Sequence, residues 1–141
     1  MTPADQPGTH SYRLAPGGRL AFHTWSRFDV PPVTDVVELP GHRSVRALTD
    51  TSALRTALAP ILAPPVEFFT VDVGTGVTLD GWMLKPSTFD PAKRYPLLMH
   101  VYGEPAGVTV TNQWPGANGL FHRALAEAGY VVASLDNRGT P

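Results

Sequence analysis

Apolar and polar positions alternate in short runs through the first fifty residues. Ser11–Leu14 precedes the turn Ala15-Pro16-Gly17-Gly18. In Leu20–Ser26 the side chains of Leu20, Phe22 and Thr24 fall opposite those of Ala21, His23 and Trp25, the period of two of a half-buried strand. Asp29-Val30-Pro31-Pro32 breaks the run, and Val33–Leu39 reads as a third strand. Pro40-Gly41-His42 then turns the chain into Ser44–Leu48. Four short strands joined by tight turns predict one antiparallel sheet. Such a sheet cannot cover both of its faces alone.

Thr49-Asp50-Thr51 supplies capping residues for a short helix, Ser52–Leu58, which Pro60, Pro64 and Pro65 are expected to stop. Ala57–Pro65 reads as a connector. Beyond it, Val66–Val73 and Val77–Lys85 flank Gly74-Thr75-Gly76 as a hairpin. After the loop Pro86–Arg94, the run Tyr95–Tyr102 (YPLLMHVY) shows no alternation, as expected of a strand buried on both faces. The glycine-rich loop Gly103–Gly119 leads to a helix with Leu120, Phe121, Ala124, Leu125 and Ala128 on one face, stopped at Gly129. Tyr130–Leu135 is a second buried-type strand. Strand, helix, strand makes a βαβ unit and points to α/β architecture in this half.

Composition narrows the function without naming it. The 141 residues include 13 glycines and 15 prolines, which favours short strands and turns. Eleven basic against twelve acidic side chains leave a formal charge of −1, so no global basic field exists to hold nucleic acid or an anionic membrane. The absence of cysteine excludes disulfides, thiolate metal sites and a cysteine nucleophile. No segment approaches the roughly 18 apolar residues of a membrane helix. Met1–His10 has neither the cationic patch nor the apolar run of a secretory signal, so the default expectation is cytoplasmic.

Candidate chemistry is sparse. The five histidines, at 10, 23, 42, 100 and 122, are scattered in sequence, with no HExxH pair, and no metal or cofactor site is expected. Gly74-Thr75-Gly76 precedes no helix and suits a turn better than a nucleotide loop. None of the six serines stands in a G-x-S-x-G elbow, and Ser134 falls in the interior of a buried strand. Asp72 and Asp80 flank the hairpin as solvated carboxylates. These residues hold no complete catalytic apparatus.

Three further stretches carry a resemblance. Val77–Pro86 (VTLDGWMLKP), Phe89-Asp90-Pro91 with Lys93–Gly103 (KRYPLLMHVYG), and Gly129–Gly139 (GYVVASLDNRG) closely resemble the start of the catalytic domain of the prolyl oligopeptidase family, with the dipeptidyl-peptidase IV-like branch the best match. Leu14–Val33, with Ala15-Pro16-Gly17-Gly18-Arg19, Phe22 and Phe28-Asp29-Val30-Pro31-Pro32-Val33, is similar to the last propeller blade of the same branch. No single motif is as specific as a nucleophile elbow; the order and spacing together are.

The resemblance implies a β-propeller edge of antiparallel strands joined to the N-terminal part of an α/β-hydrolase domain, an incomplete fold. Residues 1–10 would be a disordered lead-in, 11–50 the last blade-like unit, 51–65 a helix and proline-rich linker, and 66–141 the start of the hydrolase domain. It implies a Ser-Asp-His peptidase that releases N-terminal Xaa-Pro dipeptides, with a peptide substrate for the intact parent and a homo-oligomeric parent compatible with it. Tyr102, in Val101-Tyr102-Gly103-Glu104-Pro105, matches the tyrosine that contributes its hydroxyl to the oxyanion hole. Glu104 stands where the family commonly has a small residue. Asp136 and Arg138 are expected to brace a loop, and His100 to be a strand residue.

In the family the serine elbow, aspartate and histidine all follow the position of residue 141, so the chain alone is expected to be inactive. Two other readings stay open. One is a non-catalytic module that binds a partner carrying the rest of the hydrolase domain through an open sheet edge after Tyr130–Leu135. The other is part of an acyl-aminoacyl peptidase or esterase, since fold does not dictate substrate.

Overall fold

The computed structural model describes residues 2–103 and 107–139. Among them are two four-stranded, mostly antiparallel sheets and two helices, with no closed barrel. The chain forms two compact units. The first runs to Ala59 and includes Asn112–Trp114; the second takes up the rest of the described residues.

The first unit is an antiparallel meander of β1 (Thr9–Leu14), β2 (Leu20–Arg27), β3 (Val30–Glu38) and β4 (Arg43–Ala47), in that order across the sheet. The alternation in β2 becomes a two-faced strand: Ala21 and His23 are buried, whereas Phe22 on the opposite face is 53% exposed. Val37 of β3 lies opposite Ala21 and is fully buried. β1 begins at Thr9, two residues earlier than the pattern suggests, because Thr9 and His10 pair with Ser26 and Trp25. β3 begins at Val30 and takes in Pro31 and Pro32, which the sequence reading placed in a turn. A register shift between Trp25 and Arg27 accommodates them, since a bulge spares residues that have no N–H to give to the ladder.

Helix α1 (Ser52–Leu62) starts where Asp50 accepts the Ser52 amide at 2.9 Å; the Ser52 hydroxyl first, and this amide second, hold the Asp50 carboxyl below the usual range. It does not stop at Leu58 as expected but continues through Pro60 to Leu62. Proline removes only one backbone bond, here in the last turn, where two residues remain to be wound.

In the second unit β5 (Glu67–Asp72) and β6 (Thr78–Leu84) form the expected hairpin. Its turn runs through Gly74, Thr75 and Gly76, all at positive φ, with Asp72 accepting the Gly74 amide at 2.8 Å. β7 (Leu97–His100), α2 (Gly116–Glu127) and β8 (Val131–Leu135) complete a parallel strand pair joined by a crossover helix. The strand order is β5-β6-β8-β7. Trp82, Leu84, Val132, Ala133 and Ala126 form the apolar core.

Three expectations are corrected here. β8 is interior, flanked by β6 and β7, so the open edges belong to β5 and β7 and not to Tyr130–Leu135. β7 is four residues long and is not buried on both faces: Leu97 is 59% and Met99 47% exposed, on the one face they share, which the described residues leave uncovered. The inner face of α2 is Gly119, His122, Arg123 and Ala126, whereas Phe121 is 62% exposed. Polar side chains occupy the inner face because the Arg123 guanidinium finds acceptors there and the His122 ring packs beside Trp82. Arg123 Nη1 donates to the carbonyls of Leu62 and Pro64, each at 2.8 Å.

One glycine in this sheet is a packing requirement. Gly81 lies opposite Phe69, and a Cβ there would come within 2.5 Å of the Phe69 ring and 3.0 Å of the Ser134 carbonyl. Gly81→Ala is expected to cost about 1–3 kcal/mol through displacement of that ring. Thermal unfolding of the variant beside the unaltered chain measures it; an unchanged midpoint would refute the close packing.

Candidate active site

Tyr102 lies two residues past the end of β7, on the side where the parallel strands β7 and β8 present their carboxyl ends. Ligands of open α/β sheets gather beyond those ends, because loops rather than strands fill the space there. Gly103, at φ 86°, turns the chain immediately after the tyrosine in a conformation that costs glycine nothing. A cleft of about 240 Å3 is lined by Tyr102, Gly103, Gly107, Asp136 and Asn137. Tyr102 is 58% exposed, and among the described residues its hydroxyl has no hydrogen-bond partner. Glu104 lies outside the described residues.

The other wall of the cleft is rigid. Asp136 follows β8 directly and is buried. Its Oδ1 accepts the Thr109 amide at 2.8 Å and lies 2.7 Å from the Thr109 hydroxyl, while Oδ2 accepts the Val110 amide at 3.1 Å. Ser134, fully buried in β8, donates to the His100 carbonyl at 2.7 Å and sits 2.7 Å from Thr109 Oγ1. Trp82 Nε1 donates to the Thr109 carbonyl at 2.9 Å. Thr109 is thus held through its amide, its hydroxyl and its carbonyl. Asp136 braces a loop, Ser134 is a strand residue whose hydroxyl donates to the His100 carbonyl, and Arg138 is exposed beyond it. Sequence reasoning missed Gly107 and Thr109, because their partners are 5 to 27 residues away and no local pattern announces such contacts.

Spatially the histidines are not scattered. In the first unit His10 Nδ1 is 2.8 Å from His23 Nε2, and His23 Nδ1 is 2.8 Å from Asp35 Oδ1. The His42 ring stands edge-on to His23, and its Nδ1 is 2.9 Å from the Tyr12 hydroxyl. In the second unit His100 and His122 lie 4.8 Å apart beside Trp82. Among the described residues no group of three or more His, Cys, Asp or Glu side chains is arranged to hold a metal ion. No helix among them is long and apolar enough to cross a membrane.

Burial pushes the His122 imidazole below its ordinary value of 6.5, and the neighbouring His100 adds to the shift. The folded chain therefore binds fewer protons than the unfolded chain as pH falls through that value. Stability from this site is complete above about pH 6.5 and declines as pH drops toward the lowered folded value. The unfolding midpoint is expected to fall between pH 7.5 and 5, and to fall less in His122→Gln. Equal pH dependence of the two proteins would show that another group is responsible.

Proteins similar to this chain in sequence and in fold carry the names of dipeptidyl peptidases. No protein-family model matches the chain. Dipeptidyl peptidase 8 of Homo sapiens is 40% identical over 81 residues, which is 57% of this chain and 9% of that protein. Probable dipeptidyl-aminopeptidase B of Emericella nidulans is 28% identical over 143 residues, covering 99% of this chain and 15% of its own length. The crystal structure of dipeptidyl peptidase 4 from Porphyromonas gingivalis matches with a TM-score of 0.85 at 32% identity, over 94% of this chain and 18% of that one. The class these relatives' names define is that of dipeptidyl peptidases. Within that class the chain belongs to the dipeptidyl-peptidase IV-like family, and it spans less than a fifth of the length of each of these relatives.

Proposed function

We propose that these residues supply one half of the oxyanion hole of a dipeptidyl-peptidase IV-like serine peptidase. In this reading 11–50 are the last propeller-blade unit, 51–65 the linker and 66–141 the beginning of the α/β-hydrolase domain. The observation that carries it is the placement of Tyr102. A neutral phenol donor stands at the carboxyl end of a parallel strand, its hydroxyl unengaged among the described residues, beside a clamped loop. Such a donor is aimed at charge that develops in a transition state, which is where a hydrogen bond in a fixed site has most effect. The substrate is a peptide with a free N-terminus and proline second, and its carbonyl oxygen becomes the oxyanion.

The 141 residues alone do not hydrolyse such a peptide, because they contain no G-x-S-x-G nucleophile. A chimera tests both parts of the reading. In it, this chain replaces the matching stretch of the Porphyromonas gingivalis dipeptidyl peptidase 4. The chimera is expected to release p-nitroaniline from a Gly-Pro amide, sensitive to a serine-directed phosphonate, while the isolated chain releases none. An inactive but folded chimera, or phosphonate-sensitive turnover by the chain alone, contradicts the reading.

The exposed apolar edge of β7 supports a second reading, a module that pairs with a separate chain carrying the nucleophile. It predicts turnover when the chain is mixed with the complementary part of the same relative as a separate polypeptide.

A further inference from the structure

The Tyr102 ring packs against Gly107. A Cβ at Gly107 would fall 1.8 Å from Tyr102 Cδ1, 2.1 Å from Cε1 and 2.3 Å from Cγ, so one α-hydrogen of Gly107 points into the ring. Any larger residue at this position would displace the ring from where it lies. Gly107 in turn is two residues from Thr109, whose amide, hydroxyl and carbonyl are gripped by Asp136, Asp136 with Ser134, and Trp82 respectively. Because the Ser134 hydroxyl donates to the His100 carbonyl, the single Thr109 hydroxyl hydrogen is shared between Asp136 Oδ1 and Ser134 Oγ, each 2.7 Å away. Asp136 is the one side chain that holds both Thr109 and Val110 by their amides.

We propose that Asp136 is the positioning residue for Tyr102: by fixing Thr109 and Val110 it seats Gly107 against the ring and so sets the direction of the phenol hydroxyl. This rests on the reading of Tyr102 as oxyanion donor for its catalytic consequence, but not for its structural one. Two of the tyrosine's torsions separate the backbone from the hydroxyl, and an exposed ring with no neighbour would sample several rotamers. Contact with Gly107 removes that freedom before substrate arrives. The gain is orientational: misplacement of a reacting group by about 1 Å can cost about 100-fold in rate.

Two readouts separate the structural claim from the functional reading. In the full 141-residue chain, the ring-current displacement of the Gly107 α-hydrogens by NMR reports the seating. It is expected to disappear in Tyr102→Leu and in Asp136→Ala. In Asp136→Asn, whose amide oxygen still accepts from Thr109, it is expected to be largely kept. In the chimera, Asp136→Ala is expected to lower kcat about 10- to 100-fold with KM little changed, and to add nothing to Tyr102→Phe. Gly107→Ala leaves the clamp intact and displaces the ring directly, so it serves if Asp136→Ala does not fold; it is expected to lower kcat to a similar extent. The proposal is overturned if the Gly107 shift survives in Asp136→Ala, if Gly107→Ala keeps full kcat, or if the Asp136 and Tyr102 losses multiply. Should Tyr102→Phe itself keep full kcat, the oxyanion reading fails, and the Gly107 shift still decides whether Asp136 seats the ring.

Discussion

Tyr102→Phe in the chimera is expected to lower kcat about 100- to 1,000-fold, the usual loss on removing one oxyanion donor. The substitution deletes one oxygen and leaves the ring on Gly107 and the backbone turn at Gly103 unaltered. KM for the Gly-Pro amide is therefore expected to change little, because the hydroxyl bonds the oxyanion more strongly than the ground-state carbonyl. Stopped-flow or steady-state kinetics with the chromogenic amide measure both constants. A rise in KM at constant kcat would make Tyr102 a substrate-binding residue. No change in either would leave it a tyrosine that covers the sheet edge.

Arg123→Ala is expected to produce the largest loss of stability in the second unit, about 2–4 kcal/mol. Two charge-assisted hydrogen bonds, each worth about 1.5–3 kcal/mol, would be broken, with part of the loss recovered as water reaches the carbonyls. Arg123 is 4% exposed, and its guanidinium ties the end of α1 at Leu62 and the following Pro64 to helix α2. Arg123→Lys keeps the charge but not the planar fork, so it is expected to recover only part of the loss. Chemical denaturation followed by tryptophan fluorescence suits the measurement, since Trp82 lies in this core. An Arg123→Ala variant as stable as the unaltered chain would show that the two carbonyls are equally well served by solvent.

Elements with strong local signals were legible in the sequence. The β5–β6 hairpin follows from Gly74-Thr75-Gly76 between two β-rich runs, and the structure places all three residues at positive φ. The two faces of β2 follow from strict alternation. The parallel pair with its crossover helix follows from strand, helix and strand in that order.

What was not legible depends on groups distant in sequence. A buried arginine and histidine on the inner face of α2 run against hydrophobic periodicity, which weighs side chains by polarity and cannot see the carbonyls and the Trp82 ring that receive them. The run Tyr95–Tyr102 carries the composition of a strand covered on both sides, but β7 lies at a sheet edge. Pro31 and Pro32 enter a strand because they lie within a bulge that relaxes the demand for donors, and a bulge has no signature in one sequence. Tyr102 became a candidate through family resemblance alone. The clamp around Thr109 joins positions 25 to 27 residues apart and is visible only in three dimensions.

The most direct measurement of the central claim is a crystal structure of the chimera with its serine trapped by a dipeptidyl phosphonate, whose phosphonyl oxygen stands for the oxyanion. The Tyr102 hydroxyl is expected about 2.7–3.1 Å from that oxygen, with the ring still on Gly107. A phosphonyl oxygen held wholly by other donors, with Tyr102 turned toward solvent, would contradict the oxyanion assignment.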